Sequence, residues 1–443
     1  MNRCKKSGEN ENNQGVLNAD RISQLPEALI VNILSLLTTK EAIATSVLSK
    51  QWRSHWKMLP KLTFRSNQSY YHSRELGTFL KDVFKTLLSH KAPVLHSFHL
   101  SVVLDKCDET DTGVLIGIAL SRNVRKLVLG VQCYDGKVCF RFPRCLYNCE
   151  TLETLRLTSN VHIDVPSTFC LKSLRTMELI TVDFKDDESF INLLSGCPNL
   201  ENLEVQGILE NSVKAFTIAV PSLQRLKFYN YSYFEPLAGY VINAPSLKYL
   251  DIEICGYGLE FCLIENLRKL VEAKIIVVSK IINENLLESL TSVKRLSLEL
   301  PPLMVKFSTG STFYQLVYLE LHTHAEWWNL LTLMLDRSPK LQVLKLMHPM
   351  GWKESPAPGT WNQPKNVPEC LLSHLETFKW IGFEWKQEEE IKVAKYILSN
   401  SKRLKRATFS SSKPITDPKK RDKMVEDLNS VVRPSSSCQL LFK

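Results

Sequence analysis

The sequence predicts an α/β chain: a small three-helix module, a long stack of strand-bearing repeats, and a strand-helix-strand end. Three observations carry this. Thirteen copies of a loose L-x-x-L-x-L pattern begin at positions 95, 124, 152, 174, 200, 223, 247, 270, 293, 316, 341, 375 and 404. Between Asp20 and Leu62 that pattern gives way to apolar residues three and four apart, the period of a helix. A second helical stripe, Ile391, Ala394, Ile397 and Leu398, lies between the last two copies.

Residues 1–19 carry Lys5, Lys6, Glu9, Glu11 and many Asn, with no apolar run, so a disordered tail is expected there rather than a secretory leader. In the helical module, Leu25, Leu29, Ile33 and Leu36 or Leu37 set one apolar stripe, with Pro26 suited to the first turn. Thr38-Thr39-Lys40-Glu41 has the form of a capping box and starts a second helix carrying Ile43, Ala44, Val47 and Leu48. Ser49 is placed to cap a third helix with Trp52 and Trp56 four apart on one face. A module of about forty residues is too small to cover this many large apolar side chains, so a partner surface is expected.

The spacing of the thirteen copies mostly falls in the leucine-rich-repeat range of about 20 to 29 residues. Each copy reads as a strand with one apolar face that only a neighbouring copy covers, and stacking such copies predicts a curved solenoid, a horseshoe with a long concave surface. In Leu247-Lys-Tyr-Leu250-Asp-Ile252 and its equivalents, the residues beside the last two apolar positions point away from the core. These candidates for target binding are Arg225, Lys227 and Tyr229; Tyr249, Asp251 and Glu253; Arg295, Ser297 and Glu299; and Tyr318, Glu320 and His322. Tyr and Arg among mixed charges suit a recognition surface.

Composition supports a folded protein, with 44% hydrophobic and 23% charged residues. Nothing in it is long and apolar enough to span a bilayer, which points to an intracellular location, cytoplasm or nucleus, and not to secretion. The net charge of +10 is spread along the repeats among 46 acidic residues, which argues against nucleic acid as the partner. Two basic runs, Lys402-Arg403-Leu404-Lys405-Arg406 and Lys419-Lys420-Arg421-Asp422-Lys423, read as solvated surface, with nuclear import the functional alternative. The twelve cysteines are scattered and expected to be reduced; Cys133, Cys139, Cys145 and Cys149 lack zinc-finger spacing. Glu320, His322 and His324, beside Trp327 and Trp328, alternate on one strand, but two His and a Glu on an exposed face do not make a metal site. Gly130 with Gly136-Lys137 imitates a phosphate loop but has the wrong spacing and Val138 where a hydroxyl is needed, so a turn between repeats is expected. No catalytic fingerprint is present, and neither a cofactor nor a metal is expected.

The stretch from Asp20-Arg21-Ile22-Ser23-Gln24-Leu25-Pro26-Glu27-Ala28-Leu29 through Ile33-Leu34-Ser35-Leu36-Leu37-Thr38-Thr39-Lys40-Glu41-Ala42 to Val47-Leu48-Ser49-Lys50-Gln51-Trp52-Arg53 and Trp56 resembles an F-box. It departs from the family at Thr38, usually Pro, and Gln51, usually Arg. Val367-Pro368-Glu369-Cys370-Leu371, Leu375-Glu376-Thr377-Phe378-Lys379-Trp380, Tyr396-Ile397-Leu398-Ser399-Asn400 and Leu404-Lys405-Arg406-Ala407-Thr408-Phe409 resemble the FBD domain of plant F-box proteins with leucine-rich repeats. The expected layout is a tail over 1–19, an F-box over 20–65, repeats over 90–350 and an FBD end with final repeat-like units over 360–443, the last serving as a cap.

The resemblance implies a non-catalytic substrate receptor of a ubiquitin ligase of the SCF type. Its F-box would hold a Skp-type adaptor, which holds a cullin with a RING subunit, while its repeats would hold the target protein. Leu25, Pro26, Leu29, Ile33, Leu36, Val47, Leu48, Trp52 and Trp56 are then the expected pool of adaptor contacts, some of which must face the module's own core. The alternative is a repeat scaffold that binds protein or nucleic acid without a ligase role.

Overall fold

A computed structural model describes residues 25–49, 52–66, 73–104, 110–133, 140–159, 161–207, 215–232, 239–256, 262–265, 267–277, 286–299, 311–322, 327–348, 360–383, 388–411 and 418–443. The expected tail, the module residues Asp20 to Gln24 with Lys50 and Gln51, the Gly136-Lys137 pair and His324 lie outside these.

The repeats build one fifteen-stranded sheet in which strands lie in sequence order, and every pairing is parallel. Each of the thirteen copies becomes one strand, beginning two residues after the copy's own start, from Ser97 for the copy at 95 to Arg406 for the copy at 404. The offset has a physical cause. The first Leu of a copy closes a tight turn, as where the Leu223 N–H donates to the Val220 carbonyl and that of Leu247 to Ala244. The next two N–H groups are then caught by a single carbonyl of the preceding repeat: Glu201 accepts from Gln224 and Arg225, Lys248 from Val271 and Glu272. Along a typical strand such as Thr154–Thr158, buried and partly exposed residues alternate, so register sets Leu155 against Leu127 and Met177 in one continuous core.

Two strands of this sheet carry no copy of the pattern. Lys61–Arg65 enters as the first strand, paired with Ser97–Leu104, and Gln439–Phe442 as the last, paired with Arg406–Ser410. Two small parallel sheets, Phe140–Arg141, Val161–Ile163, Asp183–Phe184 and Ala215–Ala219, Gly239–Asn243, Cys262–Glu265, form second strands inside six repeats. Phe184 at the end of the first of these, then Phe190, Phe216, Phe228 and Tyr240, form a run of rings reaching the main sheet, each 4.4 to 6.1 Å from the next. Gly130 is not in a turn; it sits mid-strand in Lys126–Cys133, registered with Ser101 and Thr158.

The helix Asp187–Ser195 is capped by Asp186, whose carboxylate accepts from the Ser189 N–H and hydroxyl. It ends at Gly196, where a Cβ would stand 2.4 Å from the Phe169 carbonyl oxygen. The Gly196 carbonyl accepts from Leu171 in the same close approach. Gly196→Ala is therefore expected to destabilise the sheet by about 1–3 kcal/mol, read as a lowered urea midpoint with an unchanged slope.

The C-terminal end has strand Thr377–Ile381, helix Glu388–Asn400 and strand Arg406–Ser410, as the periodicity suggests. Val393, Ala394, Ile397 and Leu398 are the helix's buried stripe, whereas Ile391 is only partly covered. A further helix, Pro418–Asn429, precedes the last strand.

The helical module contains Glu27–Leu34, Thr39–Ala44 continued by a 3-10 turn at Thr45–Val47, and Trp52–His55 continued by another at Trp56–Met58. Thr38 makes the reciprocal box: its N–H donates to Glu41 Oε2 at 2.8 Å and its hydroxyl oxygen accepts from the Glu41 N–H at 3.3 Å. Ser49 Oγ accepts from the Trp52 N–H at 3.4 Å. The module is fastened directly to the repeats. The Lys57 carbonyl accepts from Lys91 and Ala92, and Thr39 Oγ1 accepts from the Thr63 N–H in the first strand at 2.7 Å. His90, fully buried, bonds the Leu59 carbonyl through Nε2 at 2.8 Å, while Arg122 donates to His90 Nδ1 and to its carbonyl. Burial lowers the His90 pKa, which keeps the ring neutral and able to accept at Nδ1 while Nε2 donates.

Candidate adaptor face and target-binding sheet

The apolar stripe of the helical module divides into two faces. Ile30 and Leu34 on the first helix, Ala42 on the second, and Trp52, Trp56 and Leu59 after them are buried and form the module's core. Trp52 is 5% and Trp56 9% exposed, so both belong to that core, and the two largest side chains in the expected pool of contacts are not on its surface. An aromatic pair four apart fills a small core most cheaply from inside. Leu29, Ile33, Leu36, Val47 and Leu48 do lie at the surface, with Leu36 and Val47 both 86% exposed. Pro26 is exposed and Leu25 half-buried. Leu37 and Met58 are exposed as well. Exposed aliphatic side chains concentrated in so short a stretch are unusual for a surface that faces only water.

On the sheet, the residues that alternate with the core carry a connected polar network. Tyr229 and Tyr249 both donate to Asp251 Oδ2, at 2.8 and 3.2 Å, and Lys274 bridges to Glu253 at 3.1 Å. Arg225 lies over the Tyr249 ring at 4.5 Å and Arg295 over the Tyr318 ring at 4.1 Å. Lys227 pairs with Glu204 across the strands. Glu320 accepts from the Tyr318 hydroxyl at 2.7 Å and from Lys345 at 3.0 Å, and His322 sits between Glu299 and Glu320 at 3.1 and 3.2 Å.

This corrects two of the expected surface residues. Asp251 and Glu299 are 5% and 6% exposed, covered by the Tyr and His that bond them, so they orient the contact surface and do not form it. Ser297 is half-buried, registered between Lys274 and Glu320. Arg225 and Arg295 are exposed; Lys227, Tyr229, Tyr249, Glu253, Tyr318, Glu320 and His322 are partly so. Lys274 and Lys345 were missing from the sequence candidates. They occupy the same position in their strands as Asp251 and Glu320, with which they register, so counting strand offsets in every copy would have found them.

The electrostatics of the Glu299–His322–Glu320 group follow from this geometry. Burial lowers the His322 pKa, but hydrogen bonds to Glu299 and Glu320 raise it more, to about 9. For Glu320, burial raises the pKa while bonds from His322, Tyr318 and Lys345 bring it down to about 2. His322 is therefore a cation at neutral pH, unable to ligate a metal through either nitrogen. No cluster of three or more His, Cys, Asp or Glu suited to a metal occurs among the described residues. Because its folded pKa lies above the ordinary 6.5, the stability that His322 contributes is fully present below pH 6.5 and is lost as pH rises through about 9. The expected difference is about 2 kcal/mol. Urea midpoints at pH 6 and pH 9.5 should show it, and His322→Gln should lower the midpoint at pH 6 while leaving that at pH 9.5 nearly unchanged.

Cys145, Cys149, Cys170, Cys197, Cys370 and Cys438 are free thiols. Burial pushes Cys197 and Cys370 up to about 12, which makes them inert. No helix among the described residues is long and apolar enough to cross a membrane.

Comparison with known proteins matches three family profiles: "F-box domain" over residues 22–64, "FBD-associated F-box protein At5g56370, LRR repeats" over 114–259, and "FBD" over 363–409. A putative F-box/FBD/LRR-repeat protein of Arabidopsis thaliana is 62% identical over 433 residues, covering 97% of this chain and 98% of its own length. A putative FBD-associated F-box protein of the same plant is 56% identical over 435 residues, 97% of this chain and 100% of its own. An F-box/FBD/LRR-repeat protein, again from Arabidopsis thaliana, is 52% identical over 453 residues, 100% of this chain and 99% of its own. With near end-to-end identity at these levels, the chain belongs to the plant F-box/FBD/LRR-repeat proteins.

Proposed function

We propose that the protein is a non-catalytic substrate receptor of an SCF-type ubiquitin ligase. In this reading the F-box binds a Skp-type adaptor, the adaptor recruits a cullin with its RING subunit, and the sheet face of the repeats, curved into a horseshoe and closed by the FBD end, binds the target. The observation that carries it is the helical module's own division of labour: Trp52 and Trp56 complete its core, yet Leu29, Ile33, Leu36, Val47 and Leu48 remain outside. A ready-made apolar face on a folded module is what an adaptor groove requires, because desolvated aliphatic anchors supply most of an interface's free energy. Thr38 supports the same reading, since its capping box preserves the helix start at the position where the family usually has Pro.

The test is co-expression of the full chain with a plant Skp-type adaptor, followed by co-purification at moderate salt. A stoichiometric complex that retains a cullin in a second pull-down supports the reading. Failure to bind the adaptor, with the chain folded by circular dichroism, leaves the scaffold alternative in its place.

A further inference from the structure

Along the central repeats, Arg225 lies over the Tyr249 ring and the other sheet-face cations described above are taken up by carboxylates: Lys227 by Glu204, Lys274 by Glu253, Arg295 by Glu272 and Lys345 by Glu320. The first four strands differ. Lys61 and Lys126 register against Ser97 from either side, Arg65 against Ser101, and Arg156 against Val128, which itself registers against His99. Paired residues of parallel strands point to the same side of the sheet, so these four cations surround His99. Lys61, Arg65 and Lys126 are exposed. Arg156 has Glu178 at 3.0 Å; for the other three no carboxylate lies within ion-pair distance among the described residues.

His99 registers the consequence. Burial and then the charges of Lys61, Lys126, Arg65 and Arg156 push its pKa down to about 4, so its ring is uncharged at neutral pH. Its Nε2 is buried and has no hydrogen-bond partner among the described residues. Beside it the strand carries Gly130, where a Cβ would come within 2.8 Å of Thr158 Oγ1, so the floor next to the cluster has no side chain.

We propose that Lys61, Arg65, Lys126 and Arg156, grouped about His99 on the first four strands, receive an acidic segment of the target protein, rich in Asp and Glu. This rests on reading the sheet as the target-binding surface and adds the chemical class of what it binds. Lys61, Arg65 and Lys126, like charges held near one another with no carboxylate within ion-pair distance among the described residues, cost free energy that an anionic ligand recovers. The adjoining repeats set its limits: further along the same face Glu204, Glu253 and Glu272 already neutralise Lys227, Lys274 and Arg295, so those repeats offer a polyanion little and the acidic segment is confined to the N-terminal end. That restriction favours a short peptide over nucleic acid, whose affinity grows with every further phosphate engaged.

The experiment uses the full chain purified with its adaptor, and three fluorescein-labelled probes read by anisotropy. These are an alternating Glu-Gly peptide, the same peptide with Gln for Glu, and a single-stranded oligodeoxynucleotide. The variant is Lys61→Glu with Lys126→Glu, both exposed and off the core. Binding of the Glu peptide, weakened about tenfold or more by the double reversal and absent for the Gln peptide, is expected. The proposal is overturned if the Gln peptide binds equally, if the reversal leaves Glu-peptide binding unchanged, or if the oligonucleotide binds more tightly than the peptide. Adaptor retention is scored on the same preparations. Retention without peptide binding removes this site and leaves the ligase reading; peptide binding without retention does the opposite.

Discussion

Leu36→Asp combined with Val47→Asp is expected to abolish co-purification of the full chain with a Skp-type adaptor, a loss of about 100-fold or more in affinity. Both side chains are almost wholly in solvent, so in the free protein the substitutions exchange an exposed aliphatic group for an exposed carboxylate at little cost to folding. In a complex each carboxylate would be buried without a partner, and an uncompensated charge in an apolar interface costs several kcal/mol, roughly speaking. The contrast is Trp52→Ala, which removes a buried ring from the module's core and should weaken adaptor binding only by unfolding the module. Circular dichroism and thermal melting separate the two: the double Asp variant should keep its wild-type melting profile, the tryptophan variant should not. Equal co-purification by the double Asp variant and the wild type would mean that the adaptor uses another surface, and the ligase reading would lose its main support.

The largest expected effect on stability is at Phe216. Its ring is fully buried, 5.1 Å from Phe190, 5.3 Å from Tyr240 and 6.1 Å from Phe228, and it joins the second strands of the central repeats to the main sheet. Phe216→Ala should cost about 3–5 kcal/mol, because the rings around it are held by two sheets and cannot collapse into the gap. In a repeat array such a loss is felt by neighbours through their shared interfaces, so unfolding in urea should broaden or split into two steps. A single transition at the wild-type midpoint would show that the aromatic cluster contributes little.

How much of this was visible in the residues depends on what each level of pattern encodes. Strand positions were legible because L-x-x-L-x-L has one physical use, and each of thirteen copies became a strand. The first and last strands were not, since Lys61–Arg65 and Gln439–Phe442 borrow their pairing from a neighbour and, at five and four residues, are too short for a period to stand out. The helix starts at Thr38 and Ser49 were legible because capping is local chemistry. Core and surface within the module were not, since Leu29 and Ile30 are adjacent and equally apolar, and only packing assigns one to each face. On the sheet, alternation found the right face. It could not foresee that Asp251 and Glu299 would be covered, because their burial depends on Tyr229 and His322 arriving from neighbouring repeats.

The fastening of the helical module to the first strands has a consequence for how the whole molecule works. Lys57, Leu59 and Thr39 are bonded to residues 90–92 and Thr63, and the chain passes from Met58 to Lys61 in only three steps. No hinge is available at that joint. On the proposed receptor reading, the distance and angle between adaptor and target are then set at folding. Which lysine of a captured protein comes within reach is then a matter of leverage, and an inserted flexible spacer after Met58 should scatter the modified positions without weakening either grip.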